Sequence, residues 1–426
     1  MIKMAKSICL VATLFASGAA LAINGMYLTG YGVESVFMGG ADVAVARDAF
    51  AANNNPAGMT QLAGQALDIE VVPTYDLSVY HSDALNSPKP RVNHYIAISN
   101  GAYARHFENS PFSAGAALVV QGGVGWVYSG LNTVFGTRDD VAAQFAVIKL
   151  APAIAWQVND HLSLGLTFGI NYFGGSQELY PNTSCSACLL GGPFNGFRFK
   201  GASGIGLNSK LGLQYHVDDD TTIGLTYGRP TSIPLKNGNL RVNFSNLGLG
   251  VVRYDNAKLE GFRLPEELAL GFAFRPTKPL LVSVQEKWYN WSKALNTLTL
   301  TAENPRGAIP APLQKIVIQS NAGFVDQHVI EIGLAYDYSK DTRIMAGYNY
   351  GRQPLPNENV NAIFAPLVTR HIMLGVTHKI NPEWELAGGV EMYMPQSATY
   401  SSALFGPEAK EHVYTEILHF SASRRW

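Results

Sequence analysis

Three groups of residues in this sequence have types and spacing that invite a chemical reading. Cys185 and Cys188 form a Cys-x-x-Cys step, the pattern of a redox motif, half a zinc site or a short disulfide. No βαβ pattern surrounds it, no second pair accompanies it, and Cys9 lies in a segment expected to be removed. A local disulfide in an exposed, oxidised loop is the reading adopted over redox or metal function, and no metal or cofactor is expected. His371 and His378 lie on one strand, but no nucleophile motif accompanies them. A barrel hydrolase needs a nucleophile and a histidine beside a carboxylate or amide on one face, so the chain is not read as an enzyme. The third group is conformational. Asn55-Pro56-Ala57-Gly58-Met59 closes a run of small residues from Gly39 to Ala49. That run does not alternate as a strand does. It reads as a short helix that the Asn-Pro step ends and turns, folded inside a larger object.

The elements around these residues say what that object is. Charged residues are 15% of the 426-residue chain, against roughly 25% in soluble domains. Glycine is abundant and the net charge is −1, which gives no case for nucleic acid as a partner. Residues 1–22 read as a signal peptide: Lys3 and Lys6, an apolar middle, then Ala20-Leu21-Ala22. No later stretch is long and apolar enough for a membrane helix.

From Leu67 onward the pattern has period two. Leu67, Ile69, Val71, Tyr75, Leu77 and Val79 oppose Asp68, Glu70, Thr74, Asp76 and Ser78. Leu162 to Tyr172 alternates with Ser163, Gly165, Thr167, Gly169 and Asn171. One face is apolar and the other polar or tiny, as in a barrel with lipid outside and a polar lumen. About fourteen such strands are expected, with short and long links alternating. Bacterial outer-membrane barrels sort their links in this way, short turns to the periplasm and long loops outside. Stretches 81–91, 128–139, 176–201, 231–263, 292–326, 353–367 and 395–410 read as the long loops. Tyr80, Trp126, Trp156, Tyr172, Tyr215, Trp288, Trp291, Tyr338, Tyr350 and Tyr393 sit near strand ends, where an interfacial girdle belongs.

The fold expected is therefore all-β, a transmembrane antiparallel β-barrel over 67–426, in the bacterial outer membrane. Such a lumen is too wide for inward side chains alone to fill. Residues 23–66 are expected to fold inside it as a plug.

Gly39-Gly40-Ala41 through Asp48, then Asn55-Pro56-Ala57-Gly58-Met59, resembles the hatch signature of the FadL/TodX (OmpP1) family of outer-membrane transporters for hydrophobic compounds, including long-chain fatty acids. Arg263-Leu264-Pro265-Glu266 and the closing strands from Asp326 to Pro395 are similar to that family too. The resemblance implies capture of a greasy molecule among outer loops and binding above the hatch. A hatch rearrangement then releases it sideways into membrane lipid, through a gap made by a kink in the third strand.

On this sequence the hatch role falls to Asn55, Pro56, Ala57 and Gly58, and the lateral opening to Gly122, Gly123 and Gly125. Ligand contacts fall to Leu189, Leu190, Phe194, Phe197, Phe199, Phe244 and Leu247. Fatty-acid carriers are expected to place cations near the carboxylate. The stretch after Tyr172 has no cation before Arg198 and Lys200, and Gln314 to Asp326 offers only Lys315, which leaves neutral hydrocarbons or aromatics as an alternative cargo. A nonspecific porin and a binding or adhesion barrel are the other readings. Partners expected are hydrophobic small molecules, outer-membrane lipid and the barrel-assembly machinery. The terminal Trp426 suits the last of these, while Arg424 stands where an apolar residue is usual.

Overall fold

The computed structural model describes residues 24–45, 48–188 and 192–426. The expected signal peptide lies outside these residues. Fourteen antiparallel strands form a closed wall: β1 Gln65–Ser82, β2 Tyr95–His106, β3 Phe112–Asn132, β4 Arg138–Gln157, β5 Leu162–Cys188, β6 Gly192–His216, β7 Thr221–Gly228, β8 Glu267–Thr277, β9 Leu280–Tyr289, β10 Gln327–Asp337, β11 Thr342–Gly351, β12 Arg370–Lys379, β13 Trp384–Ser402 and β14 Gly406–Arg425. Each strand pairs with its neighbour in this order, and β14 returns to β1 from Ala66↔Arg425 to Ser82↔Lys410.

The wall is inside out relative to a soluble protein. On β1, Ile69 and Tyr75 are 51% and 60% exposed, while Asp68, Glu70 and Asp76 are buried. On β5, Phe168 and Tyr172 face out, and Thr167 and Asn171 are fully buried. Apolar side chains facing outward and polar ones inward need lipid outside. A bulge between Asp76 and Ser78 breaks the β1 alternation, so Val79, expected on the outer face, is buried.

Exposed Trp156, Tyr215, Tyr338, Trp384 and Trp426 lie towards the short-turn end, and Tyr172 and Tyr350 towards the other. Trp126, Trp291 and Tyr393 do not belong to this girdle: they are buried inside. Arg424 lies over the rings of Trp384 and Trp426 at 5.7 and 5.0 Å and pairs with Glu383 at 3.0 Å. A cation between two interfacial rings is stabilised where it stands.

Much of what reads as long loop is strand. β3 and β4, β5 and β6, and β13 and β14 continue well past the apolar band. The hairpin Leu235–Phe244 and Gly250–Glu260 adds to the edge of β6, and Thr297–Pro305 and Lys315–Asn321 add to that hairpin. The alternation is present here, as in Leu240, Val242 and Phe244 against Arg241 and Asn243. It has no lipid-facing apolar side, so it lacks the membrane signature.

Residues 24–45 and 48–64 lie inside the lumen. Helix α1 spans Val33–Phe37, and short 3₁₀ turns span Ala49–Ala52 and Pro56–Gln61. Residues 39–45 between them form turns, not the expected helix. Gly39 and Gly40 take φ values of 70° and 88°, which strand and helix both exclude. The tiny inward residues of the wall are the bed for this plug. A Cβ on Gly165 or Gly212 would meet Pro56 or Asn55, and one on Gly375 would meet Phe37.

Candidate functional site: an apolar cavity above the hatch and a break in the wall

The hatch is held by its polar atoms. Asn55 Nδ2 donates to the Val43 carbonyl at 2.7 Å and to the Leu213 carbonyl of β6 at 3.1 Å. Its Oδ1 accepts from Ala57 N at 3.2 Å, with Pro56 in the first helical position. Asn55 therefore begins a turn as its N-cap, where the sequence reading had the step end one. Across the lumen, Gln285 accepts from Val43 N at 2.7 Å and donates to the Gly40 carbonyl at 3.1 Å. Asn349 donates to the Gly39 carbonyl at 3.1 Å. Backbone groups that no helix or sheet satisfies are satisfied by wall side chains.

Above the hatch lies a cavity of about 340 Å³, within the range of small-molecule sites. Met26 lies among its lining residues with Val124, Phe145 and Phe173 from β3, β4 and β5. Leu259, Phe262, Leu295, Phe324, Phe364 and Phe405 come from the outer segments. Phe173 stacks on Phe262 with centroids 3.8 Å apart, and Phe324 lies 5.4 Å from Phe364. The polar lining is limited to neutral amides and hydroxyls such as Gln177, Ser320 and Asn321, and no charged side chain lines it among the described residues. Such a surface gains from burying an apolar molecule. It offers a carboxylate no counter-charge, and an unpaired buried charge is strongly disfavoured.

Beside the cavity the wall is incomplete. β2 pairs with β1 along its length, but its ladder with β3 runs only from His106↔Ser113 to Gly101↔Leu118. β3 continues past that point with its other edge on β4, interrupted by bulges after Val120 and Tyr128. The freed edge of β3 bonds instead to the hatch. Gly122 bridges Tyr27, Gly123 N donates to the Met26 carbonyl at 2.9 Å, and Leu28 N reaches the Gln121 carbonyl at 3.4 Å. A Cβ on Gly122 would stand 1.8 Å from the Met26 oxygen, and one on Gly123 2.2 Å from the Phe145 oxygen. Higher up, Val92 N donates to the Val127 carbonyl at 2.8 Å, and Arg91 and Asn93 donate to the Gly125 carbonyl. The gap thus lies between Leu118 and Gly125, with Ile96 and Ile98 of β2 beside it.

A family model described as outer membrane protein transport protein (OMPP1/FadL/TodX) matches residues 9–404. The chain belongs to the OMPP1/FadL/TodX family. The family transports hydrophobic compounds, and its members are outer-membrane barrels. No curated protein matches the sequence. The Pseudomonas putida toluene transporter TodX superposes with a TM-score of 0.76 at 18% identity, covering 94% of this chain and 99% of that one. The Ralstonia pickettii toluene transporter TbuX gives 0.73 at 18%, with the same coverage. A Pseudomonas aeruginosa FadL homologue gives 0.69 at 15%, again covering 94% and 99%. At these identities the likeness is one of fold.

The residues anticipated for the FadL/TodX mechanism fall in different places. Asn55, Pro56, Ala57 and Gly58 are buried in the hatch, and Gly122, Gly123 and Gly125 border the gap. Cys185 and Cys188 are joined in a disulfide at the far tip of β5. Leu189 and Leu190 lie outside the described residues.

The remaining ligand candidates do not line the cavity. Phe197, Phe199 and Phe244 are buried under the outer sheet, Phe194 stacks on Phe135 at 4.4 Å, and Leu247 is exposed at a hairpin tip. The cations are committed elsewhere. Arg198 and Lys200 pair with Glu178 at 2.8 and 2.6 Å, and Lys315 pairs with Glu303 at 2.9 Å. The hydrogen bond from Lys315 holds the Glu303 carboxyl below its usual range. None of the residues that line the cavity was anticipated as a ligand contact, Phe145, Phe173 and Phe262 among them. Phe173 carried a signal: on β5 it is a large apolar group on the face that reads Ser163, Gly165, Thr167, Gly169, Asn171.

Proposed function

We propose that this protein takes up neutral hydrophobic molecules, small hydrocarbons or alkylated aromatics, and releases them sideways into the membrane through the β2–β3 gap. The observation that carries the cargo reading is the lining of the cavity above the hatch, aromatic and aliphatic with no cation. Each CH₂ kept from water favours such a site by about 0.8 kcal/mol, whereas a fatty carboxylate would have to give up hydration for nothing. That two solved structures of similar fold are toluene transporters is in keeping with this.

The route reading rests on adjacency. Met26 borders the cavity and, with Tyr27 and Leu28, bonds the free edge of β3 at the gap. Movement of this one segment opens the cavity to the gap, without carrying an apolar molecule through the polar hatch. Asn55 and its neighbours hold the rest of the hatch in place while the segment moves. Assembly of the barrel by the outer-membrane machinery, guided by the closing strand β14, completes this proposal.

Calorimetry on the purified barrel tests the cargo reading, comparing a neutral alkylbenzene with a fatty carboxylate of matched chain length. The neutral compound is expected to bind, and Phe173→Lys to abolish that binding. Tighter binding of the carboxylate to the unaltered protein would overturn the reading.

A further inference from the structure

The outer sheet carries an unusual row of charge. Arg198 of β6 stands in register with Arg241, and Arg241 with Arg253 on the next strand. Three guanidinium groups thus lie side by side across three neighbouring strands, spaced by roughly 4.8 Å per strand. All three face away from the core. On the opposite face of the same strands, Phe199, Leu240 and Tyr254 are fully buried. Like charges directly opposite one another in a sheet repel, so the row requires a counter-charge.

The protein supplies only part of it. Arg198 shares Glu178 with Lys200. Arg253 shares Asp255 with Arg306, at 3.0 and 2.9 Å. Arg241, in the centre, is exposed and has no hydrogen-bond or ion-pair partner among the described residues. Five cations face two carboxylates, in a chain whose overall charge is −1.

The height of the row identifies the missing anion. Tyr172 and Ile205, cross-strand partners on β5 and β6, are 48% and 67% exposed on the lipid-facing side. Arg198 and Lys200 precede Ile205 by seven and five residues on the same strand, which puts Lys200 about 17 Å beyond it along a tilted strand. The row therefore stands where lipid hydrocarbon has given way to headgroups, on the end with long links, which faces outward in bacterial barrels. Guanidinium groups bind phosphate through paired N–H donors.

We propose that Arg198, Arg241 and Arg253 form a docking site for a phosphorylated glycolipid headgroup of the outer leaflet. The same hairpin contributes Leu259 to the cavity, so the docked headgroup braces the mouth of the transporter.

The test uses the full-length barrel in detergent, with bisphosphorylated lipid A as the probe and its dephosphorylated form as the control. Native mass spectrometry reads retained lipid, and heat-modifiable gel mobility reports that each variant is folded. The unaltered protein is expected to retain the phosphorylated form only. The Arg198→Gln, Arg241→Gln, Arg253→Gln triple variant should bind it on the order of a hundredfold more weakly, about fivefold for each cation near an anionic surface. Arg241→Gln alone breaks no ion pair and should lose about fivefold, which keeps the test open if the triple variant does not fold. Lys340→Gln, at a turn on the opposite end, should change nothing. Equal retention of both lipid forms, full retention by Arg241→Gln, or displacement of the lipid by inorganic phosphate alone would each overturn the proposal.

Discussion

Asn55 ties together three pieces of backbone: Val43 within the hatch, Ala57 in the turn it caps, and Leu213 in the wall. Loss of a cap costs about 1 kcal/mol and loss of a buried hydrogen bond a similar amount. Asn55→Ala should therefore loosen the hatch by about 2 kcal/mol and leave the wall intact. Hydrogen exchange checks this: faster exchange over 48–61 with unchanged wall strands is expected. Gly122 makes a second residue-scale prediction. Gly122→Ala places a methyl group against the Met26 oxygen and should free residues 24–28 from β3, raising the labelling rate of a cysteine at Met26. Gly192→Ala meets nothing within 4 Å and should leave that rate unchanged. The hatch motif was legible in the sequence because an Asn-Pro step after a run of small residues has few conformational options. Its direction was not, because whether asparagine starts or ends a turn depends on which amide its side chain reaches.

At the scale of the element, the strands were legible and their ends were not. Period two survives wherever one face meets lipid, so the lipid-facing part of each of the fourteen strands shows itself. Beyond the lipid, β5, β6 and the hairpin at 235–260 keep their ladder but lose the apolar outer face, and read as loop. That misreading moved the ligand candidates. Phe197 and Phe199 look exposed when 176–201 is loop, and become core once it is strand. The cavity takes its lining from the hatch, three wall strands and several outer segments, and no local pattern joins them. Phe262→Ala removes the ring stacked on Phe173. Such pairs contribute about 0.5–1.5 kcal/mol beyond area burial, so affinity for an alkylbenzene should fall roughly three- to tenfold. Titration of the purified variant gives the number.

For the whole molecule, an inside-out wall and a filled lumen have a consequence that separates a transporter from a porin. With the hatch in place, polar side chains of the wall are spent on its backbone, Gln285 and Asn349 among them, rather than on lining an aqueous path. Planar-bilayer recordings should show little ion conductance, and deletion of residues 24–62 should raise it severalfold. An open pore in the unaltered protein would favour the porin.

Cargo is proposed to leave through the β2–β3 gap, and a reversible bridge across that gap puts this exit to the sharpest test. Cysteines replacing Ile98 and Val120 would be joined by a cleavable bifunctional thiol reagent in cells that lack other transporters of this class, and uptake of a labelled alkylbenzene followed. Exit through the gap requires uptake before bridging, loss after it, and recovery on cleavage. Uptake that continues unchanged through the closed wall would contradict it.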